Sequence, residues 1–138
     1  MTDIKSDELF RDDGVNSRSV RLSIEQDGAI RFDAQDMGPL VEEHWGDDDY
    51  EFWVTVPGGA IEKLASALLC EKNPGRRSAT ARLAFAHARA RCFGQRNAVA
   101  KLAFTLLREK YKGRSGAVDE FRLFCERERI EHRFGSWV

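Results

Sequence analysis

Ser17-Arg18-Ser19-Val20-Arg21-Leu22-Ser23-Ile24-Glu25-Gln26-Asp27-Gly28-Ala29-Ile30-Arg31-Phe32-Asp33-Ala34 is the stretch whose reading decides the fold. Val20, Leu22 and Ile24 alternate with polar residues, Asp27-Gly28 supplies a turn, and Ile30, Phe32 and Ala34 alternate again. A period of two on both sides of a turn pair predicts a β-hairpin with one apolar face. Upstream, residues 1–16 are charged and aperiodic and read as a flexible N-terminal arm. Downstream, Gln35 to Pro39 and the acidic aromatic stretch that follows read as loop. Tyr50-Glu51-Phe52-Trp53-Val54-Thr55-Val56 is β-branched and aromatic, the composition of a third, central strand ended by Pro57-Gly58.

Beyond Gly59 the apolar period becomes helical. Gly59-Ala60-Ile61-Glu62-Lys63-Leu64-Ala65 aligns with Ser78-Ala79-Thr80-Ala81-Arg82-Leu83-Ala84 and with Asn97-Ala98-Val99-Ala100-Lys101-Leu102-Ala103, and a weaker copy starts at Gly116. The offset is 19 residues each time. Each unit opens on a residue suited to N-capping, and Gly75, Gly94 and Gly113 stand where C-caps belong. This register predicts four short helices, with Leu64, Leu83, Leu102 and Phe121 in the same phase toward a shared core and Lys63, Arg82, Lys101 and Glu120 solvated. If Gly94 does not break the chain, residues 78–112 form one kinked helix whose apolar stripe needs a second subunit; otherwise a monomer suffices. Glu131 to Val138 alternates again and returns as a strand. The class expected is therefore α+β, an antiparallel sheet of three to four strands packed against about four helices. Residues 17–138 form one domain with a helical insertion at 73–111.

A composition 42% hydrophobic and 33% charged is that of a folded, well-solvated domain, and 138 residues suffice for one core. No run reaches the roughly 18 apolar residues of a membrane span, and the polar start is unlike a secretion signal, which points to the cytoplasm and away from membranes. Cys70, Cys92 and Cys125 are odd in number and widely spaced, as expected of reduced core thiols. With His44, His87 and His132 they form no CxxC or HxxxH pair, so neither a metal nor a cofactor is expected. No GxSxG elbow, Ser/His/Asp order or phosphate-cradling glycine loop is present, and Gly58-Gly59 reads as a strand-to-helix turn rather than an anion site. Asp36, Glu42 and Glu43 make a weak acid/base set, and no enzyme is expected.

Charge is the informative feature. The formal net charge is −1, yet residues 1–60 hold 15 acids and 5 bases, whereas residues 61–138 hold 8 acids and 17 bases. The halves either attract each other within the fold or present opposite surfaces to partners. Glu42, Glu43, Trp45, Asp47, Asp48, Asp49 and Tyr50 combine carboxylates that steer with aromatics that bury area, which suits a protein partner with a basic surface. EF-hand spacing is missing, so a divalent metal is not expected there. Arg76, Arg77, Arg82, Arg89, Arg91 and Arg96, continued by Lys101, Arg108, Lys110 and Lys112, could instead follow a phosphate backbone, although they occupy several helical phases.

Gln35-Asp36-x-Gly38, Trp45-Gly46, Tyr50-Glu51-Phe52 and Ile130-x-x-x-Phe134-x-Ser136-Trp137 together resemble a pattern found in small bacterial α+β proteins of uncharacterised activity. The resemblance covers residues 18–72 and 112–138, and residues 73–111 have no counterpart in it. It implies no activity; in style the pattern is similar to immunity proteins, which block a toxin by surface complementarity. The expected function is a non-enzymatic protein-binding module of immunity or antagonist type, either monomer or homodimer, with nucleic-acid binding through 76–112 as the alternative.

Overall fold

The computed structural model describes residues 5–46, 49–72 and 96–137, with Trp45, Arg96 and Asn97 described in backbone only. Five strands form one antiparallel meander in the order of the chain: β1 (Lys5–Asp12), β2 (Ser17–Ile24), β3 (Ile30–Met37), β4 (Asp49–Val56) and β5 (Arg133–Trp137). Four α-helices are found among the described residues: α1 (Pro39–Trp45), α2 (Ile61–Lys72), α3 (Arg96–Tyr111) and α4 (Ala117–Arg127). The class is mixed α+β, and the sheet is wider than the three to four strands expected.

The period-two reading of the hairpin holds in full register, Val20 opposite Ala34, Leu22 opposite Phe32 and Ile24 opposite Ile30. These residues, with Phe52, Val54 and Val56, are buried on the face that carries the helices. There α3 lies over β2, α4 over β3 and β4, and α2 against α3. Phe32 joins the layers: its ring centroid is 4.6 Å from Phe121 of α4 and 5.4 Å from Tyr111 of α3.

Two segments depart from the sequence reading. Residues 5–12 belong to no flexible arm; they pair with β2 as an edge strand. The pattern hides this because the register shifts between Glu8 and Phe10, placing the buried Leu9 beside Phe10 and breaking the alternation. The segment read as loop before β4 contains helix α1, in which Val41 is buried, so no apolar stripe announces it. Its boundary residues do. Pro39 sits at N1, and Gly46 ends the helix at φ 78° with its N–H donating to the Glu42 carbonyl at 2.9 Å.

Of the 19-residue register, Leu64 and Phe121 are fully buried, Leu102 packs partly buried on the same core, and Lys63 and Lys101 are exposed. Glu120 is half-buried and accepts a hydrogen bond from Arg114. Gly113 follows α3 at φ 80°, and its N–H donates to the Leu9 carbonyl at 2.7 Å. Gly75, Arg82, Leu83 and Gly94 lie outside the described residues. Ala103, Phe104 and Leu107 of α3 are completely buried, so this helix contributes to the core.

The other face of the sheet is polar. Arg21, Asp33, Trp53 and Gly135 follow one another across it, and the Arg31 guanidinium stacks 4.7 Å from the Trp53 ring centroid. Trp53 lies flat over β5, and a Cβ at Gly135 would stand 2.5 Å from its ring. Glycine is required there by close approach.

Candidate protein-binding site

Two turns meet at one end of the sheet. Residues 13–16 connect β1 to β2, and Gly38 connects β3 to α1. A Cβ on Gly38, whose φ is 128°, would collide with the Val15 carbonyl oxygen and with Asn16. Because the N-cap position of α1 is a glycine with no side chain to offer, its early N–H groups need an outside acceptor. The Asn16 Oδ1 supplies one, accepting from the Leu40 N–H at 3.0 Å. The contact fixes α1 against the first hairpin.

Three large apolar side chains are exposed on these touching segments: Val15 (81%), Met37 (43%) and Leu40 (52%). The same segments carry the exposed carboxylates of Asp12, Asp13, Glu42 and Glu43. Asp13 is paired with Arg11, whereas Asp12, Glu42 and Glu43 have no cation partner among the described residues. Behind the patch, Arg18 grips Asp36 with two hydrogen bonds of 2.5 and 2.6 Å and donates a third, 3.1 Å, to the Ser115 carbonyl ahead of α4. Asp36 holds the guanidinium in its charged form, raising the Arg18 pKa against the opposing effect of burial. Ahead of α4, Arg114 is engaged by Glu120.

The residues expected to act as one acidic loop are distributed. Glu42 and Glu43 are exposed on α1, and Trp45 is its last residue. Asp47 and Asp48 lie outside the described residues. Asp49 and Tyr50 open β4 and therefore point to opposite faces. Asp49 accepts from Gln35 Nε2 at 3.0 Å, whereas Tyr50 stacks on Phe52 with centroids 5.4 Å apart and belongs to the wall of the core. Val15, Met37 and Leu40 escaped the sequence reading because single apolar residues in turns carry no periodic signal.

Other groups weighed as chemistry are accounted for structurally. Asp36 is held by Arg18. Gly58 and Gly59 border a cleft of about 490 Å³ in which the charged lining residues, among the described residues, are Asp27 and Glu62. Burial pushes the Cys125 thiol up to about 12. Among the described residues no three His, Cys, Asp or Glu side chains are grouped to hold a metal ion, and no helix is long and apolar enough to cross a membrane. Of the basic run, Arg76, Arg77, Arg82, Arg89 and Arg91 lie outside the described residues, and Arg96 begins α3. Arg108 pairs with Asp7 at 3.8 Å, and Lys110 pairs with Glu71.

The chain matches no family model, no curated protein and no solved structure. Function therefore rests on geometry and charge. Between described residues the ion pairs stay within each half of the chain, Asp7–Arg108 excepted.

Proposed function

We propose that this protein is a non-enzymatic binding module of the immunity or antagonist kind, which engages a basic protein surface through the end of the sheet formed by residues 12–16, 37–43 and 49. The observation that carries this reading is that two touching segments expose Val15, Met37 and Leu40 together with the carboxylates of Asp12, Asp13, Glu42 and Glu43. Exposed apolar side chains supply the area from which binding energy comes, and unpaired charges at the rim supply steering and partner choice. Asn16 and Gly38 hold the two halves of the patch together before any partner arrives, which lowers the ordering cost of binding.

Nucleic acid is the weaker alternative, since Arg108 and Lys110 of the basic run are committed to carboxylates. The test is affinity capture from the source organism's lysate on immobilised protein, eluted by a salt gradient. A partner of this patch elutes earlier from Glu42→Lys/Glu43→Lys and is lost from Leu40→Asp. A partner whose elution neither variant changes contradicts the assignment. Retention of nucleic acid instead of protein, abolished by salt, favours the alternative.

A further inference from the structure

We propose that β5 pairs with β5 of a second copy of this chain, antiparallel about Gly135, joining two five-stranded sheets edge to edge. A meander leaves two outer edges, here β1 and β5, and an open edge is a template for another strand unless it is blunted. The two edges differ. The β1 edge bears the devices that prevent pairing: a register shift at Glu8/Phe10 and the exposed charges of Lys5, Glu8, Arg11 and Asp12. Along β5 the pairing with β4 runs without a shift from Arg133 to Trp137, and the strand has one charged residue. Its aromatics are unusually open, Phe134 at 42% and Trp137 at 61%.

The strand is also complementary to itself. A two-fold axis through Gly135 sets Arg133 opposite the second copy's Trp137, and Phe134 opposite its Ser136. Residues equally spaced before and after Gly135 share one hydrogen-bonding direction, so each outer amide meets a carbonyl of matching phase. Arg133 and Trp137 lie on the polar face, where Arg31 already stacks on Trp53 and Gly135 brings no side chain to keep the strands apart. Two symmetric cation–π pairs result, and like charges never face each other across the seam. On the helix side Phe134, with Arg122 stacked 4.2 Å above its ring, flanks the same seam. Each apolar group at this edge gains cover from its symmetry mate, the condition for a closed two-fold interface.

Sedimentation velocity over a dilution series tests the pairing. The wild-type chain is a dimer that dissociates by mass action. Trp137→Arg sets arginine against arginine and raises the dimer dissociation constant about tenfold or more. Arg133→Trp combined with Trp137→Arg restores the opposition of arginine and tryptophan and regains dimer. Hydrogen exchange of the wild-type chain decides the matter even if a variant fails to fold, since the outer amides of β5 become protected as concentration rises through the transition. A monomer at every soluble concentration overturns the proposal. So does a dimer that Trp137→Arg leaves intact, a double variant no better than the single, or dimerisation without protection of β5.

Discussion

Replacing Arg18 by methionine keeps an unbranched aliphatic side chain but removes the charge and the guanidinium, whose carbon lies 5.5 Å from the Phe52 ring centroid. Asp36, whose side chain is 20% exposed, then faces the core boundary without its cation, and the Ser115 carbonyl loses its donor. Hydrogen bonds to charged groups contribute roughly 1.5–3 kcal/mol. The pair is partly solvated, which reduces the two Asp36 bonds to about 1.5 kcal/mol, and the solvent-exposed bond to Ser115 adds about 1 kcal/mol, a loss of about 2.5 kcal/mol. With an unfolding entropy of about 2.1 cal/mol/K per residue, a chain of 138 residues loses about 9 °C in Tm. Calorimetry of Arg18→Met, Asp36→Asn and the double variant forms a cycle, and the coupling between the two sites accounts for more than half of the single-site cost. A fall in Tm under about 2 °C would refute the reasoning, because the pair would then matter no more than an exposed one such as Arg11–Glu8.

Gly135→Ala forces the Trp53 ring off β5 and out of its stack with Arg31, at a cost of about 1–3 kcal/mol, seen as a lower denaturant midpoint with altered tryptophan emission; an unchanged midpoint counts against the packing of Trp53 on Gly135. Cys125, whose thiol lies near 12 in the fold against 9.0 for a free thiol, resists alkylation in native protein and reacts once unfolded, as peptide mapping reads out. Burial raises the Tyr111 phenol as well. For both groups the fold favours the neutral acid, so their contribution is complete below the unfolded pKa and declines as pH climbs from about 9 toward 12. The Tm therefore falls across that window, and a flat profile contradicts the burial of these groups.

The parts of the fold that the sequence made legible are those where burial imposes a period. The β2–β3 hairpin, β4 and the phase of Leu64 and Phe121 follow directly from apolar spacing. Segments held by contacts that leave no periodic trace were lost. β1 escaped because a register shift interrupts its alternation, and α1 because it buries Val41 and takes its cap from Asn16, more than twenty residues away in the chain. The same physics limits the site. The acidic excess of residues 1–60 is a matter of counting, and Glu42 and Glu43, to which it drew attention, are exposed on α1. That Tyr50 turns toward Phe52, while Val15, Met37 and Leu40 are gathered by two touching turns, depends on tertiary contacts that no local pattern encodes.

Site-specific photo-crosslinking in cells of the source organism tests the central claim most directly, with the reactive side chain placed at Leu40 in one variant and at Thr105, on α3, in another. The account predicts that position 40 yields one dominant protein adduct whose partner is basic, that position 105 does not, and that Glu42→Lys/Glu43→Lys introduced beside the probe removes the adduct. An adduct formed equally from both positions, or one from position 40 that survives reversal of both charges, would contradict it.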